Sequence, residues 1–95
     1  MEKTKTATIV NYTGHQTVNV YTVFEYGGRK FFTHKYRGWW CVSHYPSGCN
    51  ITYGNSTMNR AISSSKEKID IVESSNQDDV DHHWLDGLPV INKGL

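Results

Sequence analysis

The chain is poor in most features that announce a function. Its 95 residues include two cysteines and two prolines. Two cysteines exclude a disulfide-dense scaffold. Eight glycines and two prolines exclude a collagen-like chain. No apolar run approaches the roughly 18 residues of a spanning helix, and no heptad pattern supports a coiled coil. The Met-Glu-Lys-Thr-Lys start is polar, and the apolar run behind it, Ala7 to Val10, is too short for a signal-peptide core. A cytoplasmic protein is therefore expected. There is no Gly-x-Ser-x-Gly elbow and no phosphate-binding loop. Nucleophile, base and orienting group cannot be matched from spacing, so the expectation is a protein that is not an enzyme, with no cofactor.

What is present is aromatic. Three Trp, six Tyr and three Phe supply much of the burial for a chain whose apolar fraction is 37%. A chain this short folds as one domain with one modest core. The net charge of +1 hides a split. Residues 1–60 carry seven basic and two acidic residues, and residues 61–95 carry three basic and seven acidic. The body is thus +5 and the C-terminal part −4, a separation that suits two faces of opposite potential.

Strand signals fill the first half. Thr6 to Asn11 is rich in β-branched residues. Thr17 to Tyr26 alternates, with Val18, Val20, Thr22, Phe24 and Tyr26 on one face, and reads as a single strand. Gly27-Gly28 supplies a tight hairpin turn. Arg29 to Arg37, Trp39 to His44 and Cys49 to Tyr53 follow as strands, the last two joined by Tyr45-Pro46-Ser47-Gly48. An aromatic–Pro bond is a cis candidate there, which would make a type VI turn.

Helical spacing begins after Gly54. Asn55-Ser56-Thr57 offers an N-cap, and Met58, Ala61, Ile62, Ser65, Ile69 and Val72 form an apolar stripe. Three serines (Ser63 to Ser65) weaken local propensity, but one continuous helix is expected. A short second helix is expected over Gln77 to Asp86, with Val80, Trp84 and Leu88 as its stripe and Gly87 closing it. The fold class is α+β: an antiparallel β-meander of four to five strands packed by one main helix, plus a short C-terminal helix. Residues 1–73 form the meander and helix. Residues 74–95 form an acidic segment docked on the same domain. The helix should cover one sheet face and leave the other partly open.

Three constellations are candidate sites. In the strand after the hairpin, Arg29, Phe31, Thr33, Lys35 and Arg37 share a face, giving cations beside a flat ring. Single-stranded nucleic-acid platforms need that combination. His34, Cys41, His44 and Cys49 are four potential zinc ligands within sixteen residues. Strand alternation sends Cys41 and His44 to opposite faces, and likewise the two cysteines, so two free thiols are expected. On the terminal helix, Asp78, His82 and Asp86 align at i, i+4 spacing, which suits a metal, although a capped solvated helix explains them as well.

The segment Arg37-Gly38-Trp39-Trp40-Cys41-Val42-Ser43-His44-Tyr45-Pro46-Ser47-Gly48, with Tyr53-Gly54-Asn55-Ser56-Thr57 and Ala61-Ile62, resembles a layout of small phage-encoded orphan proteins. The layout is a Trp-bearing strand, a Ser-His strand end, a Pro-Ser-Gly turn, a returning strand and a capped helix. The resemblance implies a phage or mobile-element inhibitor that binds and blocks a host protein or nucleoprotein, anti-CRISPR and other anti-defence proteins among them. The resemblance carries over no functional residue; the surplus aromatics and the separated charge point to an interaction module in which Arg29, Lys35, Arg37 and Trp39 contact the partner from the basic face, and Asp78, Asp79, Asp81 and Trp84 from the acidic one. A single-stranded nucleic-acid binder using Arg29, Phe31, Lys35 and Arg37 is the alternative, and a metal-binding protein or small metal-dependent hydrolase the third. A sheet edge left uncovered can pair with a second copy of the chain.

Overall fold

The alternating run from Thr17 to Tyr26 is two strands rather than one. The computed structural model describes residues 5–11, 14–75 and 89–92. Six strands and a helix follow in order: β1 (Lys5–Asn11), β2 (Gly14–Val20), β3 (Thr22–Tyr26), β4 (Arg29–Tyr36), β5 (Trp39–His44), β6 (Asn50–Asn55) and α1 (Met58–Ser75). β1 and β2 form an antiparallel hairpin of their own, and β3-β4-β5-β6 form a four-stranded antiparallel meander. The class α+β with antiparallel pairing is as the sequence indicates. The single meander of four to five strands is not: there are six strands in two sheets.

The reason lies at Tyr21, where the chain leaves one sheet for the other. Val18 and Val20 pack with Ala7, Ile9, Phe32 and Tyr45. Phe24 and Tyr26, in phase with them by alternation, pack instead with Phe31, Val42, Ile51, Ala61 and Ile69. Each sheet face therefore has its own core. β4 divides them, since neighbouring residues of a strand point to opposite faces. Phe31 goes to the helix side and Phe32 to the hairpin side, both with no exposed surface. The face expected to be partly open is covered by the β1–β2 hairpin.

α1 begins where the cap predicts. The Thr57 hydroxyl accepts from the Arg60 amide at 3.1 Å. Ala61, Ser65 and Ile69, four residues apart, are the buried stripe. Ser65 is tolerated there because its hydroxyl donates to the Ile62 carbonyl at 2.7 Å. The helix is continuous to Ser75. The second helix expected over Gln77 to Asp86 lies outside the described residues.

The β5–β6 turn ties the layers together. The Tyr45–Pro46 bond is trans, so the turn is not type VI. Gly48, at φ 73°, is packed so tightly on β1 that a Cβ there would come within 2.5 Å of the Thr8 carbonyl. Its carbonyl accepts from the Val10 amide at 3.0 Å. The Ile91 and Asn92 amides both donate to the Pro46 carbonyl. β6, the strand expected over Cys49 to Tyr53, runs Asn50–Asn55, and its register with β5 is irregular on either side of the Val42–Thr52 pair. Among the described residues no helix is long and apolar enough to cross a membrane.

Candidate functional site

Among the described residues two places concentrate reactive or recognition chemistry, and one of them is accessible. The inaccessible one is the pair of Ser–His contacts on β5. His34 Nε2 and Ser43 Oγ are 2.8 Å apart, and His44 Nδ1 and Ser47 Oγ 2.7 Å. All four side chains are buried. His34 Nδ1 has no hydrogen-bond partner. Burial lowers the His34 pKa to about 4, with the Lys35 main chain opposing the shift. This imidazole is neutral at pH 7, packed against Phe32, and no substrate reaches it. Burial also raises the pKa of the Cys41 and Cys49 thiols, so neither is an activated nucleophile. Both cysteines are unpaired. His34, Cys41, His44 and Cys49 do not converge: among the described residues no three His, Cys, Asp or Glu side chains gather as metal ligands.

The accessible place is the end of the sheet where β4 turns into β5. Tyr36 and Trp39 pair across the ladder, as do Lys35 and Trp40. The two-residue loop between them is Arg37-Gly38, with φ of 55° and 84°. Positive φ at both positions is the type I′ turn, whose twist matches the strands it joins. Asn, Asp or Gly is favoured at its first position, and this chain has an arginine there. Arg37 is the one non-glycine residue with positive φ among the described residues.

The side-chain contacts form two groups, Lys35–Trp40–Tyr21 and Arg37–Tyr36, and strand alternation puts the Lys35–Trp40 pair and the Tyr36–Trp39 pair on opposite faces of this end. The Lys35 ammonium lies 4.7 Å from the Trp40 ring centre and 5.9 Å from that of Tyr21. The Tyr21 ring meets Trp40 edge-on at 4.9 Å. The Arg37 guanidinium lies 5.3 Å from the Tyr36 ring. Tyr21 is 50% exposed, Tyr36 43% and Trp39 52%. Beside them Gln16, Thr17, Val18, Asn19, Tyr21 and Lys35 line a cleft of about 260 Å³.

The expected site residues divide accordingly. Lys35, Arg37 and Trp39 come together at this end. Arg29 stands at the other end of β4, opposite Tyr26 and about 20 Å away at ~3.3 Å per residue. Phe31 and Thr33 do share a face with Lys35, but α1 covers that face and both are fully buried. The strand-wide platform of Arg29, Phe31, Lys35 and Arg37 is therefore not an accessible surface, and Phe31 cannot stack on a base. Asp78, Asp79, Asp81 and Trp84, and the metal-ligand set Asp78, His82 and Asp86, lie outside the described residues.

Sequence reasoning missed Tyr21 and Tyr36. The available signal was Tyr21 itself, an aromatic out of phase with the apolar alternation around it. A second signal was the absence of acid. From Tyr26 to Lys66, 41 residues contain six Lys or Arg and no Asp or Glu. That run builds β4, β5, β6 and the first half of α1. Comparison with protein-family models, with curated proteins and with solved structures found no match to this chain.

Proposed function

We propose that the chain is a non-enzymatic interaction module that binds an anionic partner, an acidic protein or a nucleoprotein, through the β4–β5 end. One observation carries the reading: three exposed aromatic rings and two cations stand at this end, all but Tyr21 in the acid-free part of the chain. Tyr, Trp and Arg are the residues that anchor interfaces. Solvent-exposed rings do nothing for the core, which has its own aromatics in Phe31 and Phe32. The left-handed Arg37 adds to this. Strained backbone concentrates where function requires a side chain that folding alone would not choose. The buried Ser–His pairs argue for binding over catalysis. An inhibitor that blocks a host protein, as the resemblance to small phage proteins implies, would act by such occupancy alone.

The test is retention on immobilised heparin and on immobilised polyglutamate at low salt. The wild-type protein is retained, and the Lys35→Glu/Arg37→Glu double variant elutes at markedly lower salt. Lys30→Glu/Arg60→Glu, with the same change in net charge, elutes later than that double variant. Flow-through of the wild type on both columns overturns the reading, as does equal elution of the two double variants.

A further inference from the structure

We infer that the anionic partner is a single-stranded nucleic acid, with its bases against Trp39, Tyr36 and Tyr21 and its phosphates against Lys35 and Arg37. The inference rests on the binding reading above and narrows it. Three observations favour this ligand, the first two over an acidic protein and the third over a duplex.

The first is the cleft beside Lys35. A protein hot spot seats its anchor in a dry apolar pocket. This cleft is lined by Gln16, Thr17, Asn19, Tyr21 and Lys35, with Val18 the one aliphatic residue among them. Its volume of about 260 Å³ falls below the ~300–1,000 Å³ of pockets for drug-sized ligands. It suits one planar polar group with an anion beside it, such as a nucleobase and its phosphate.

The second is the pairing of each cation with a ring. Lys35 sits over Trp40 and Tyr21, and Arg37 over Tyr36. Stacking surfaces and phosphate-binding charges then alternate over a few ångströms. Bases and phosphates alternate in the same way along a single strand. An acidic protein matches that alternation only where aromatic side chains stand between its carboxylates.

The third is shape. The rings stand at a hairpin tip and a strand crossover, on opposite strands. Paired bases in a duplex hide their faces inside the stack, so rings placed this way gain nothing from a duplex. An unpaired strand can lay its bases on them.

Fluorescence anisotropy with a labelled mixed-sequence 12-nucleotide single strand, as DNA and as RNA, and with the matching duplex tests this. The single strand binds more tightly than the duplex at low salt. Trp39→Ala weakens it by about 5- to 100-fold, the range of base–aromatic stacking, and Trp39→Phe recovers most of the loss. Lys35→Ala reduces the slope of log affinity against log salt by about 0.7. Arg29→Ala, at the far end of β4, retains more affinity than Arg37→Ala. Equal or tighter binding of the duplex overturns the inference, as does a Trp39→Ala protein that melts like wild type and binds unchanged. Retention on polyglutamate with no single-strand binding overturns the inference and leaves the interaction-module reading standing. Failure on every polyanion removes both.

Discussion

Asn92 holds Thr8 by both of its main-chain groups. Its side-chain Nδ2 donates to the Thr8 carbonyl at 2.8 Å, and its Oδ1 accepts from the Thr8 amide at 2.8 Å. The same Nδ2 donates to the Tyr45 carbonyl at 2.7 Å. One amide side chain thus stands in for a strand residue beside β1 and joins it to the β5–β6 turn. Asn92→Ala removes all three bonds and leaves part-buried main-chain groups unpaired. At about 1 kcal/mol per bond, the expected loss is ~2–3 kcal/mol in urea unfolding. Asn92→Asp fares no better, because a carboxylate cannot donate to either carbonyl.

Gly48 and Gly54 separate strain from collision. Their φ angles are 73° and 74°, but a Cβ on Gly48 meets the Thr8 carbonyl at 2.5 Å and one on Gly54 meets nothing within 4 Å. Gly54→Ala is expected to cost about 1–2 kcal/mol, the left-handed backbone term alone. Gly48→Ala adds the displacement of β1 and costs clearly more. Equal melting temperatures for the two variants would contradict the close contact between Gly48 and β1.

His34 makes stability depend on pH in one direction. Its folded-state pKa is about 4 against 6.5 for the free side chain. Below pH 6.5 the unfolded chain takes up a proton that the folded core refuses, so stability falls as pH drops from 6.5 towards 4. Above pH 7 this group contributes no slope. At 1.36 kcal/mol per pH unit the loss is about 2 kcal/mol by pH 5. An NMR titration of the His34 ring should place its midpoint near 4, and His34→Gln should flatten the stability profile over that window.

Arg37 opposes stability and binding to each other. Arg37→Asn puts a residue suited to the left-handed region into the type I′ turn and is expected to stabilise by about 1 kcal/mol. In a domain this small that raises the melting temperature by roughly 4–8 °C. Retention on polyanions should weaken in the same variant. A variant that gains stability and keeps full binding would show that the arginine does not serve binding.

Trp39 and Phe31, aromatics on the adjacent strands β5 and β4, have opposite roles. Trp39→Ala removes an exposed ring and should shift stability by less than about 1 kcal/mol. Phe31→Ala opens the helix-side core and should cost ~3–5 kcal/mol.

Much of this architecture was legible because it is local. The Thr57 cap, the 61–65–69 stripe and the Trp39–His44 strand each follow from turn chemistry and period. The crossover at Tyr21 was not, because Val20, Thr22 and Val23 sustain strand propensity on both sides of it and no glycine or proline marks the break. The second core was not expected either, although Phe31-Phe32 carries a signal for it: adjacent rings on a strand need a buried face on each side. For the site, alternation correctly put Arg29, Phe31 and Lys35 on one face. Whether that face met solvent or a helix depended on where α1 docked, a contact with residues some thirty positions on. The charge pattern pointed to the basic body but could not separate the two ends of β4.

The clasp between Thr8 and Asn92 spans 84 positions of sequence. During synthesis β1 emerges 84 residues ahead of its clasp. The β1–β2 hairpin must wait, unfastened, while the whole meander and helix are made. The hairpin-side core, with Ala7 and Ile9 in it, therefore closes after the helix-side core, whose contacts join strands adjacent in sequence. Refolding should show an early phase at Phe31 and a later one at Tyr45, and removing Asn92 should speed unfolding more than it slows refolding.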